Sequence, residues 1–334
     1  MIYSEDDFIF ETKLDSHQKS KFDIKLQSNW NTAVEKGYFR YKLNITDSRI
    51  LPGRNSYLIQ LNPDRHVNRR VPEEIVCTTQ PFNAEKFNFT KIKDEEYLFE
   101  INKIGKISSG HFLIINVSPL EYGHSLFVPS LFSCLPQVAT LESIQLVIEL
   151  LLLSNSPTLR IGFNGLCAYA SVNHLHYHLY YLNQRMLLEN IKVEHLSGSC
   201  YQLIDYPAPG FVFQLPENKS IQDLARDVYR LTNYFQNANQ PYNVYMTRGS
   251  RFNTGSEYDT VRVYVWARKP TSEVKSEFSL KPAICELFGH FVVKAESDYW
   301  SATDEKLSSI IAEISVGPFA DVRDRVKQLF EETK

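Results

Sequence analysis

Apolar residues recur at helical spacing in four stretches of the chain. Leu141, Ile144, Val147, Ile148 and Leu151 form one stripe, and Ile221, Leu224, Val228, Leu231 and Phe235 form another behind the cap residue Ser220. Ser16 is placed to cap a helix that buries Phe22, Leu26 and Trp30. Near the end, Thr303 precedes Leu307, Ile310, Ile311 and Ile314, and Gly317-Pro318 is expected to stop that helix before an amphipathic tail. Between these stretches lie segments with strand character: HFLIINV from His111, HSLFV from His124, HLHYHLYYL from His174, FVFQL from Phe211, NVYMT from Asn243 and VRVYVW from Val261. Helices and strands mixed in this order predict an α+β fold, an antiparallel sheet with helices packed on it.

The two-residue period of a strand sorts the histidine-rich segment into two faces. His174, His176, His178 and Tyr180 share one face, and Leu175, Tyr177, Leu179 and Tyr181 share the other. Three imidazoles on one face would be costly in a dry core, so that face is expected to meet water, a metal or a ligand. A zinc site is one reading of such a run, although no Asp, Glu or Cys flanks it closely. Just upstream, Gly162-Phe163-Asn164-Gly165 reads as a flexible turn whose backbone amides a ligand can approach, followed by the hydroxyl of Ser171. Together they form a candidate phosphate cradle beside the histidines.

Composition narrows the partners. The chain of 334 residues is 43% hydrophobic and 22% charged, enough to bury a large core. A formal net charge of -3 provides no global basic field, so neither nucleic acid nor an anionic membrane is an expected partner, and any phosphate must be held locally. The five cysteines are scattered without metal-ligand spacing and read as free thiols in a reducing compartment. The first residues, MIYSEDDFIF, lack the pattern of a signal peptide, and the most apolar stretch, from Ile144 to Leu153, is too short to span a bilayer. The expected location is cytoplasmic. No tandem repeat or flexible linker interrupts residues 1–334, which read as a single compact unit.

The segment NVSPLEYGHSLFVP, followed at a distance by HLHYHLYY, resembles the histidine triad superfamily, and Gly165, Ser171, His174 and His176 look like positions of its galactose-1-phosphate uridylyltransferase branch. QLNPDRHVNRRVPEE, FNFTKI, RIGFNGLCAYASVNHLHYHLYYL, YPAPGFVFQL, VRVYVWARKP and CELFGHFVVKAE together resemble the GDP-hexose phosphorylases. That resemblance implies a histidine-triad-like sheet, duplicated, with a catalytic half over residues 50–215 and a degenerate second half over 216–334. It implies a nucleotidyltransferase that converts GDP-glucose and inorganic phosphate to GDP and glucose 1-phosphate through a GMP-histidine intermediate, without cofactor or metal. His178 is similar to the animal branch, since plant members, which act on GDP-L-galactose, carry glutamine there.

His176 is then the expected nucleophile, with His174 and His178 beside it as further catalytic candidates whose separate roles the sequence leaves open. Asn164, Gly165 and Ser171 are expected at the α-phosphate and Asn116 at the ribose. Arg65, Arg69, Arg70 and Lys91 are candidate cations for nucleotide or phosphate. Arg248, Arg262 and Arg268 in the second half stay unassigned. A triad hydrolase using water, a guanine-nucleotide sensor without turnover and a metal hydrolase are the rival readings, and a homodimer is left open as the assembly.

Overall fold

The computed structural model describes residues 1–13, 18–67, 73–105, 110–253, 258–274 and 280–331. Its centre is one antiparallel sheet of ten strands, which runs in spatial order Val193–Ser197, Cys200–Leu203, Phe211–Gln214, Thr260–Ala267, Tyr242–Gly249, Leu159–Asn164, Tyr177–Tyr181, Ser125–Val128, Phe112–Ile115 and Tyr97–Glu100. Counted in chain order from either outer edge, the two groups of five strands follow the same plan: first, second, third, fifth, fourth. Each group also sends a long helix, Leu141–Leu153 or Ile221–Asn237, between its third and fourth strands. The sheet is therefore two copies of one β-β-β-α-β-β unit, joined where the two fourth strands pair from Asn164 opposite Asn243 to Arg160 opposite Thr247.

One face of this sheet is apolar and covered by the two helices. Ile161, Phe163, Leu179, Val244, Met246 and Val263 pack there against Ile144, Val147, Leu151, Leu224, Val228, Leu231 and Phe235. Each such side chain contributes about 1.5–3 kcal/mol on burial, well above the few tenths that separate helix propensities. The α-helix Lys21–Glu35 buries Phe22, Leu26 and Trp30 as the pattern predicts. Its cap is Ser20, whose hydroxyl accepts the Asp23 N–H at 3.1 Å; Ser16 lies outside the described residues.

The opposite face carries the polar and aromatic rows. Register sets His178 across from Leu126 and Gly162, Gly162 across from Tyr245, and Tyr245 across from Tyr264. Over this face pack the segment Ile284–Leu287, the strand His290–Val293 and, through Leu307, Ile311 and Ile314, the first part of the C-terminal helix Asp304–Glu331, whose later residues Val322, Val326 and Phe330 join the apolar cluster of the other face. His290–Val293 belongs to a small second sheet, where it runs parallel to Leu58–Leu61, itself antiparallel to Asp47–Ile50.

Three local expectations are corrected. Gly317-Pro318 does not end a helix: Asp304–Glu331 runs through it. Proline cannot donate to the carbonyl four residues back, that of Ile314, and the Lys269 N–H donates to it instead at 2.8 Å. Gly162-Phe163-Asn164 is not a turn but the buried end of a central strand, with Gly162 admitting Ile284, whose Cγ2 would stand 2.8 Å from an added Cβ. The histidine strand begins at Tyr177 rather than His174.

Candidate active site

Residues 165–176 form the excursion between the fourth and fifth strands of the first copy, and the site is built on it. Gly165 starts the excursion pressed against Tyr242: a Cβ there would lie 2.7 Å from the Tyr242 carbonyl oxygen, so a larger residue forces the loop away. Buried Gln137 then pins both ends. Its Nε2 donates to the carbonyls of Asn164 and His176, each at 3.0 Å, and its Oε1 accepts the His176 N–H at 2.8 Å. Asn173 extends the clamp by accepting the Gln137 N–H at 2.9 Å and donating to the carbonyls of Gln80 and Pro81.

The three histidines of the run are placed differently. Both nitrogens of His174 are taken by backbone: Nδ1 accepts the Phe89 N–H and Nε2 donates to the Leu131 carbonyl, both at 3.1 Å. It has no nitrogen left for a ligand and orients the loop. His176 donates from Nδ1 to the His174 carbonyl at 2.7 Å, which puts the proton on that nitrogen and leaves a lone pair on Nε2. Nε2 has no hydrogen-bond partner among the described residues. Desolvation holds both His174 and His176 down to about 4, so the His176 ring is neutral at physiological pH. His178 stands 5.1 Å from His176, ring centre to ring centre, and is less buried.

Behind His178 lies a histidine to which the sequence assigned no role. His124 accepts the Leu120 N–H at its Nδ1, 2.9 Å away, which leaves the proton on Nε2. That nitrogen is 3.1 Å from His178 Nδ1, so His124 donates, and the His178 proton is driven to its own Nε2. Asn116 stands alongside: its Oδ1 accepts the Ser118 N–H, so its Nδ2, itself a donor, lies 3.1 Å from the protonated Nε2 of His124 with no hydrogen bond between the two. His124 also packs its ring 5.2 Å from Tyr180. The Tyr180 hydroxyl donates to His290 Nδ1 at 2.9 Å, His290 Nε2 donates to Gln60 Oε1 at 2.7 Å, and Gln60 donates to Glu121 at 2.8 Å. Desolvation lowers His290 to about 3 and His124 well below its ordinary range, with Arg65 a second cause for both.

Arg65, in the short helix Asp64–Val67, thus has its charge within electrostatic reach of His124 and His290, and it also reaches buried Cys285 and Glu286. Arg69 and Arg70 lie outside the described residues. Lys91 is exposed, two residues from Phe89, which packs on His174 and His176, and its ammonium donates to the carbonyls of Glu85 and Lys86 at 3.2 and 2.9 Å. Ser171 is half-buried in the excursion, its carbonyl accepting the Glu73 N–H at 3.1 Å and its hydroxyl without a partner among the described residues. Of the second-half cations, Arg248 donates to the carbonyls of Ile9, Phe10, Leu151 and Ser154, and Arg262 to those of Ser250 and Ile191; both serve the scaffold. Gln137, His124 and His290 carry no periodic or spacing signal that would single them out; the Gly123-His124 pair stood in the triad-like segment but was given no task.

A neutral imidazole with one free lone pair, a glycine-initiated loop with unpaired polar groups, and a nearby guanidinium suit nucleophilic attack on a phosphoryl group. Two family models, described as GDPGP1-like, N-terminal domain and GDPGP1-like, C-terminal domain, match residues 21–180 and 183–332. GDP-D-glucose phosphorylase 1 of Danio rerio is 40% identical over 318 residues, 92% of this chain and 92% of its own. The Homo sapiens protein of the same name is 38% identical over 315 residues, 91% of this chain and 82% of its own. GDP-L-galactose phosphorylase 2 of Arabidopsis thaliana is 31% identical, over 86% of this chain and 71% of its own. Among solved structures, yeast Ap4A phosphorylase Apa2 shares the fold at a TM-score of 0.65 and 16% identity, covering 89% of this chain and 97% of that one.

Proposed function

The chain belongs to the GDPGP1-like family, and from that premise we propose that it is a GDP-D-glucose phosphorylase working through a covalent GMP on His176. The observation that carries this reading is the locked tautomer of His176, with Nδ1–H on the His174 carbonyl and a lone pair on Nε2. Nε2 attacks the α-phosphorus of GDP-glucose, and the bond from that phosphorus to the oxygen bridging to glucose 1-phosphate breaks. The leaving group departs as an anion of low basicity, so little proton donation is needed. An oxygen of inorganic phosphate then attacks the same phosphorus, expels the imidazole and yields GDP.

Asn164, Gly165 and Ser171 hold the α-phosphate oxygens, His178 offers its Nε2–H to them, and Asn116 meets the ribose. Arg65 supports the second anion beside the GMP-histidine, with Arg69 and Arg70 proposed to share that task. The reaction is placed in the cytoplasm on the strength of five free cysteines; among the described residues no helix is long and apolar enough to cross a membrane. A homodimer is proposed as the assembly.

The test is turnover of GDP-glucose, GDP-L-galactose, GDP-mannose and UDP-glucose with and without phosphate, read by product identity. GDP-glucose is expected to turn over fastest, with GDP and glucose 1-phosphate rising together as phosphate is raised. Equal rates without phosphate, with GMP as the main product, would make the enzyme a hydrolase.

A further inference from the structure

The second copy of the fold has no histidine in its fourth and fifth strands, yet it reaches into the site through Asn243 and Arg268. Both are wholly buried. Asn164, the last residue of the first copy's fourth strand, pairs across the junction with Asn243. Its side-chain Oδ1 accepts the backbone N–H of Ile284 at 2.9 Å, and a backbone N–H is an obligate donor, so the atom facing it is the oxygen. The same Oδ1 accepts Nδ2 of Asn243 at 2.8 Å, and that amide group also donates to the Ala168 carbonyl at 3.0 Å. Asn243 therefore has its oxygen turned the other way, where Nη1 of Arg268, again an obligate donor, meets it at 3.3 Å.

The polarity of every link is fixed: guanidinium to Asn243, Asn243 to Asn164, and the remaining amide hydrogens of Asn164 turned away from all three. Nδ2 of Asn164 has no partner among the described residues. Arg268 is itself held by the Pro282 carbonyl at 2.5 Å and the Lys269 carbonyl at 3.1 Å, with its guanidinium 4.8 Å from the Tyr169 ring of the excursion. Its Nη2 is buried without a hydrogen-bond partner among the described residues. A buried cation in a dry interior is expensive unless it serves something, and here its field passes along two amides to the phosphate-facing end.

We infer that Arg268 and Asn243 are positioning residues that, together with the Ile284 N–H, hold Asn164 so that it presents its Nδ2–H donors, not its oxygen, to the α-phosphate. The inference rests on the proposed phosphorylase reading of the Asn164 and His176 site. A carbonyl oxygen in that place would repel the phosphoryl oxygens, so the relay acts on the step in which charge builds there, more than on nucleotide binding.

The test is a double-variant cycle read as the rate of GMP attachment to His176 from GDP-glucose without phosphate. R268M, R268K and N243L are each made alone and together with N164A, and GDP affinity and thermal unfolding are measured for all. R268M and N243L are expected to slow attachment by at least about 30-fold in the Asn164 protein but by less than about 3-fold in the N164A background, because their effect passes through that side chain. R268K, which keeps the charge, is expected to stay within about 10-fold of the parent, and GDP affinity to move by less than the rate. The same rate loss in both backgrounds, or a parent-like rate in N243L, overturns the relay. Should R268M fail to fold, N243L carries the same cycle without removing a charge. A parent protein that forms no adduct and turns over no GDP-glucose overturns the proposed function, and the relay with it.

Discussion

His176 is held neutral by its surroundings, and this has a signature in pH. Desolvation lowers His174 and His176 to about 4 and His290 to about 3, against an ordinary value near 6.5. The rate of GMP attachment should then stay level between pH 8 and 6 and fall only toward the folded-state value, whereas an exposed imidazole would lose half its nucleophile near 6.5. Stability moves in the same direction. In the unfolded chain these imidazoles take up protons as pH drops through 6.5, while in the folded chain they do not. Each therefore withdraws up to about 1.4 kcal/mol per pH unit between the unfolded and folded values. Urea midpoints should hold nearly level from pH 7.5 to about 6.5 and decline from there to pH 5, and a midpoint unchanged at pH 5 would contradict burial of these rings. At the proposed nucleophile, His176→Ala should abolish the acid-labile GMP adduct in intact-mass measurements while leaving the unfolding temperature within a few degrees.

The excursion 165–176 depends on Gln137 more than on its own sequence. Gln137→Leu strands the His176 N–H and the carbonyls of Asn164 and His176, groups whose lost partners cost about 1–3 kcal/mol each when buried. The expected result is an unfolding temperature lower by several degrees and attachment slowed by more than about 10-fold, seen by calorimetry and single-turnover kinetics. No sequence pattern announces this glutamine, because its partners lie 27 and 39 positions away and are backbone atoms. What could be read locally was read: the apolar stripes of the Leu141 and Ile221 helices and six strand segments follow from period alone. The strand over Leu159–Asn164 was hidden because its two glycine-flanked residues mimic a turn, and its need for Gly162 arises from Ile284, which is far along the chain. His174, His176 and His178 were legible as a group, but their different hydrogen-bond partners, and with them the proposed division of roles, depend on carbonyls and on His124, which only the fold brings near.

The duplicated sheet makes the two copies one body. The pairing of Leu159–Asn164 with Tyr242–Gly249 lies at the centre of the sheet, and both strands are buried throughout. A fragment ending near Gln184 would expose a central apolar strand as an edge, and it is expected to aggregate or stay unfolded by circular dichroism, even though it holds every histidine of the run. The two copies of the strand unit span residues 97–181 and 193–267, and the second opens with two strands, Val193–Ser197 and Cys200–Leu203, that had drawn no strand assignment. Co-expression of the two halves as separate chains should restore adduct formation only when they associate.

Pro318 gives the C-terminal helix a property that its apolar stripe alone would not. A long amphipathic rod lying on a sheet can slide by one turn and meet a similar set of side chains, since i and i+4 positions repeat. The carbonyl vacated by proline does not repeat. It occurs at Ile314, and the Lys269 N–H that fills it extends from the chain just beyond Arg268. The proline thus acts as a detent: a one-turn slip would present Lys269 with a carbonyl already engaged inside the helix, so the rod has a single seat along its axis, and the strand end carrying Arg268 is held against that seat.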